Sequence, residues 1–94
     1  MLYIVSCFFS NPFLDHSPFY TAISLLGQDR FQIFPNAWLV YYPSTIQVFA
    51  VGIQQTLQQH LAPLDRAIVA QINPQNVNGW LGSDAWTWVR QHMN

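Results

Sequence analysis

Asp15 and His16 are the one place in the chain where an acid and an imidazole stand side by side. A carboxylate next to an imidazole in a loop has the makings of a general base. The same two residues also lead into Ser17-Pro18, where Ser is suited to capping a helix and Pro to its first position. Acids favour helix N-termini, so a helix-start role accounts for the pair without any chemistry. Asp15 and His16, taken with Arg30, form the single candidate polar site of the sequence.

The other reactive residue types are scattered. His16, His60 and His92 show no ligand spacing, and the last two fall near expected helix C-termini, where a cationic imidazole suits the helix dipole. Cys7 lies in an apolar stretch with no neighbouring cation to lower its pKa, so it reads as a small buried hydrophobe rather than a nucleophile. No nucleophile stands beside a base, no metal-ligand set is present and no glycine-rich phosphate loop occurs. The expectation is a non-catalytic protein with no cofactor and no metal.

Composition narrows the class further. Charged residues make up 7% of the 94 residues, against about 25% in an ordinary soluble domain. Lys and Glu are absent; the cations are Arg30, Arg66 and Arg90, and the anions Asp15, Asp29, Asp65 and Asp84. A net charge of −1 and 51% hydrophobic residues leave little repulsion between copies and much apolar surface to hide, so self-association is expected. No uninterrupted apolar run reaches the roughly 18 residues a spanning helix needs, which argues against a membrane protein. MLYIVSCFF lacks a basic start and a cleavage site, so it reads as a strand rather than a signal peptide. With Cys7 unpaired and no targeting signal, the cytoplasm is the expected compartment.

The elements that would position these groups are organised around RFQIFPNAWLVYY, residues 30–42. Aromatic and branched residues on both sides of Pro35-Asn36 suit a β-hairpin, with strands Phe31 to Phe34 and Ala37 to Tyr42. Pro35 presets a turn-compatible φ and Asn36 tolerates the left-handed region. Before it, Leu2 to Phe9 is a strand and Pro18 to Leu26 a helix stopped by Gly27. After it, Ser44 or Thr45 caps a second helix whose stripe runs Ile46, Phe49, Ala50, Ile53, Leu57 and Leu61, ended by Pro63. Gly52 within it suggests a close backbone approach. Ala67 to Ile72 is the fourth strand, and Ser83 caps a last helix from Asp84 to His92.

The order strand, helix, strand, strand, helix, strand predicts an α+β ferredoxin-like βαββαβ sandwich: one antiparallel four-stranded sheet plus a short C-terminal helix. The whole chain, 1–94, is expected to be one domain, with 79–94 a Trp-rich C-terminal appendage. Strands one and three should be central. Both alternating sets of their side chains are apolar, so the sheet face away from the two long helices must be covered by another subunit, by the terminal segment, or by both.

The Met-x-Tyr-x-Val-Ser opening, the Ala-Trp-Leu-Val of strand three, the Gln-rich second helix and the Gly79-Trp80…Trp88 ending resemble the SinR-like small proteins. That group is similar in fold to the small dimeric subunit of the CRISPR spacer-integration complex and to VapD-type toxins. The resemblance implies a ferredoxin-like protomer that dimerises through its open sheet face. In nuclease-competent relatives a carboxylate at the end of strand one helps to hold a divalent cation near the dimer axis. The matching position here is Phe8, with Cys7 before it and Phe9 after. A hard cation needs oxygen ligands, so metal-dependent hydrolysis does not carry over.

Two further readings compete with a plain dimer: a degenerate metal-dependent nuclease or toxin-like protein, with Asp15 and His16 as its proton-transfer groups, and a regulatory RNA or small-molecule binder on the aromatic sheet face. Aromatic residues on strands one and three are where RNA-recognition modules stack bases, but three Arg cannot build a phosphate-tracking surface, so nucleic acid is an improbable partner unless the three cluster. Trp80, Trp86 and Trp88, beside Gly79 and Gly82, would form an aromatic pocket, close the core or dock on a second subunit. Phe8, Phe9, Trp38, Trp80, Trp86 and Trp88 are therefore the candidate interface or binding residues.

Overall fold

The computed structural model describes residues 1–93. Asn94, the last residue of the expected appendage, lies outside them. The elements follow in the order β1 (Leu2–Phe8), α1 (Ser17–Ser24), β2 (Asp29–Phe34), β3 (Ala37–Tyr41), α2 (Ala50–Gln58), β4 (Arg66–Ile72) and α3 (Ser83–Gln91). They build an α+β structure on one antiparallel four-stranded sheet, ordered β2-β3-β1-β4, so β1 and β3 are central. Ala67 and the edge strand β4 pair against β1 alone, and β2 pairs against β3 alone.

Alternation divides the sheet side chains between two faces. Tyr3, Val5 and Cys7 of β1 and Trp38 and Val40 of β3 turn to α1 and α2, where Phe19, Ile23, Leu26, Ile53 and Leu57 complete the main core. Leu2 and Leu39 turn the other way and meet Trp88 and Val89 of α3 in a second, smaller core. The hydrophobic stripe of each long helix thus shrinks to two fully buried positions, Phe19 and Ile23 in α1 and Ile53 and Leu57 in α2.

The helix starts differ from the sequence-based expectation. Ser44 and Thr45 do not cap α2; they lie in a turn closed by Ile46 N donating to Pro43 O, and the helix begins at Ala50 after the extended Phe49. One cause is Tyr3, whose buried phenol donates to Val48 O at 2.8 Å and anchors that segment to the sheet. Ile46 and Phe49 consequently stay exposed. Ser83 is the first residue of α3 and does not cap it, its carbonyl instead accepting from Thr87 Oγ1. Gly52 meets no close neighbour: a Cβ there would face open space.

The hairpin turn works by a route other than left-handed backbone. Among the described residues Gly27 alone has positive φ, so Asn36 contributes through its side chain, with Nδ2 donating to Cys7 O at 3.1 Å while Asn36 O accepts from Cys7 N. The turn is thereby pinned to the end of β1. A bulge between Gln32 and Phe34 adds one residue to β2.

Candidate functional site

The six aromatic candidates are divided by the sheet. Trp38 faces the helices, buried against Phe19 and Tyr20. Phe9 lies just past β1 on that same side, edge-on to Phe19 and stacked on His16 with ring centroids 3.7 Å apart. Trp88 and the half-buried Trp86 are engaged in seating α3 on the second face. Phe8 and Trp80 remain outside, 59% and 100% exposed.

Those two mark where the second face is left open. Reading across the sheet from β4, the row Ala70, Ile4 and Leu39 with Phe31, and the row Ile72, Leu2, Tyr41 and Asp29, lie on the side of the sheet where α3 packs. The next row, Ile68, Ser6, Ala37 and Phe34, lies beyond that second core, and Phe8 pairs with Arg66 one row further. Ile68 is 64% and Phe34 50% exposed, on either side of the small residues Ser6 and Ala37. Leu64, also exposed, borders Phe8 and Arg66. The terminal segment therefore covers half of this face and leaves an apolar half open. Leu64, Ile68 and Phe34 were not among the residues singled out from sequence; Ile68 joins Phe8 on this face through the β1–β4 register, which no local pattern encodes, and the bulge hides Phe34.

At the boundary between the covered and open halves lies a cavity of about 220 Å³. Its floor is Ile4, Leu39, Ile33 and Phe34, and its walls come from Val89 and Trp86 of α3 and from Val77, Trp80 and Leu81 of the preceding segment. The bulge is what brings both Ile33 and Phe34 to it. Asn78 is its one polar side chain.

The polar candidates do not assemble into a catalytic group. Asp15 Oδ1 accepts from Ser17 N at 2.9 Å and from the Ser17 hydroxyl, and these bonds hold its carboxyl below the ordinary carboxylate range. His16 Nε2 bonds Asn11 O at 2.8 Å. Neither hydrogen bond nor ion pair joins Asp15 to His16 among the described residues. Arg30 lies elsewhere, with Nη1 donating to Leu26 O at 2.8 Å on the helix side of β2. Arg66 sits on the opposite edge strand and faces the other side of the sheet. Arg30 shares a row with Tyr3 and Arg66 one with Phe8, five residues along β1, or about 17 Å at a strand's rise. Arg30 and Arg66 therefore do not cluster, and Arg90, in the last turn of α3, donates from Nη2 to Thr87 Oγ1.

Asp65, which the sequence reading passed over, accepts three hydrogen bonds. Its carboxylate accepts from Ser10 N, Ser10 Oγ and Ala62 N at 2.7 to 2.8 Å, and the two backbone bonds depress its pKa most. It ties the loop after β1 to the turn before β4. Burial, reinforced by Asp65, pushes the free Cys7 thiol up to about 11, far from a nucleophile's range. Among the described residues no three metal-ligating side chains converge, and no helix is long and apolar enough to cross a membrane.

Comparison with known proteins returns no matching family model, no matching curated protein and no matching solved structure. The class rests on the chain's own geometry: a small α+β protein with one antiparallel sheet, two helices on one face, and a partly open apolar surface beside the third helix on the other.

Proposed function

We propose that the chain is a ferredoxin-like, non-catalytic interaction module that works as a homodimer, in the manner of the SinR-like proteins it resembles in sequence. The observation that carries this reading is the open half of the second sheet face, where Phe8, Phe34, Ile68 and Trp80 stand in solvent. A fully exposed aromatic side chain offers about 150–250 Å², so Trp80, fully exposed, with Phe8 and Phe34, each about half exposed, presents roughly 300–500 Å². A standard interface takes about 800 Å² from each partner, and Ile68, Leu64 and the stem of Arg66 extend the patch toward that size. A second copy is the favoured partner because the patch holds one charged residue and the chain is near neutral.

The two rival readings find less support. RNA binding would need a cluster of cations beside the exposed aromatics, where Arg66 lines the patch while Arg30 lies on the other side of the sheet. A degenerate nuclease would need an acid near the end of β1, where Phe8 stands. Sedimentation over a concentration range from about 1 to 500 µM tests the dimer. A mass near twice 10.9 kDa that reverts to the monomer's in Ile68→Asp supports it; a monomer throughout overturns it.

A further inference from the structure

We infer that the two copies are locked by reciprocal insertion of Trp80 into the apolar cavity of the partner, an inference that rests on the dimer reading and adds its anchor. Trp80 is fully exposed and stands at the rim of the cavity that its own segment helps to wall. A two-fold interface places the same patch on both copies, and an axis that passes between Trp80 and its cavity sets each Trp80 opposite the equivalent cavity of the other copy. One feature supplies the knob and its neighbour the hole.

Size and chemistry agree with an indole as occupant. A cavity of about 150 Å³ lined by aliphatic and aromatic side chains accommodates benzene; this one holds about 220 Å³ with its own Trp80 as one wall, and the exchange swings that wall out as the partner's indole enters. Small-molecule sites carry several convergent polar groups to orient a ligand, whereas this one has Asn78 alone. An exposed Trp seated in a desolvated pocket is the usual form of an interface anchor. Trp80 also precedes Gly82 and follows Gly79, in a segment without helix or strand, so its backbone carries no ladder that insertion would disturb.

The test compares dimer dissociation constants for the full chain, Trp80→Ala, Asn78→Asp and, as a control remote in sequence and equally exposed, Phe13→Ala. Loss of an anchor weakens association by about thirtyfold or more, and Asn78→Asp sets a charge at the mouth of each cavity. Both are expected to shift the equilibrium to monomer while Phe13→Ala leaves it unchanged. Dilution of the unaltered protein should in addition move tryptophan emission to the red, a shift that Trp80→Ala abolishes. A dimer whose affinity and emission are the same in Trp80→Ala overturns the insertion and leaves the dimer standing. A wild-type monomer at every concentration overturns both.

Discussion

Asp29 and Trp88 are joined across 59 residues by a single bond, Trp88 Nε1 donating to Asp29 Oδ2 at 3.0 Å. The same oxygen lies 3.1 Å from His92 Nε2, and His92 Nδ1 bonds Trp88 O at 2.7 Å, with the two rings stacked at 4.2 Å. Trp88 of α3 and His92, the residue that caps its C-terminus, thus converge on one carboxylate at the start of β2. Asp29 is half exposed, so solvent screens the ionic part and the hydrogen bonds carry most of the contribution. Asp29→Ala is expected to cost about 1 kcal/mol, chiefly by loosening α3. Faster amide exchange confined to residues 83–91 and a red-shifted Trp88 emission are the readouts; uniform destabilisation without either contradicts the clasp.

The two glycines beside the long helices should respond in opposite directions. Gly52 has open space where a Cβ would go, and it lies within α2, so Gly52→Ala is expected to stabilise by about 0.5–1 kcal/mol. Gly27 has φ of +63°, and a Cβ there would lie 2.5 Å from Tyr41 O, the carbonyl that accepts from Gln28 N. Gly27→Ala is expected to destabilise by about 2 kcal/mol or more, from left-handed strain plus the clash. Urea melts of the two variants check the signs.

The strands were legible because their signal is local: RFQIF and AWLVY carry aromatic and branched residues on either side of a Pro-Asn turn, and each strand begins within two residues of its expected start. Helix starts were less so. Ser44, Thr45 and Ser83 have the right chemistry for caps, but Tyr3 of β1, 45 residues away in sequence, holds residue 48, and no local pattern encodes that contact. The open half of the second face was legible as a need to cover apolar strands, yet how far α3 reaches depends on the clasp at Asp29, 59 residues from Trp88 in sequence. Asp65 escaped notice because its three partners lie 3 and 55 residues away.

Cys7 should resist modification while the protein is folded. With its pKa pushed up to about 11, roughly one thiol in a thousand is ionised at pH 8, and the side chain is buried as well. Labelling by a thiol reagent is expected to follow the unfolding transition in urea. Rapid labelling of the native protein contradicts the burial.

Asp65 makes stability depend on acid. Its folded pKa lies below the ordinary value of 3.8 because Ser10 N and Ala62 N bond the ionised form, so the unfolded chain takes up a proton first as pH falls. The stabilisation is therefore complete above the unfolded value and drains away as pH drops through 3.8 and then through the lower folded value. Asp15, depressed by its bonds to Ser17, contributes with the same sign in the same window. Asp65→Asn keeps an acceptor oxygen but not the charge, so it should lower stability at pH 6 and flatten the acid limb below pH 4. Urea midpoints at pH 6, 4 and 2.5 measure both effects; an acid limb as steep as the unaltered protein's would assign that dependence to other carboxylates.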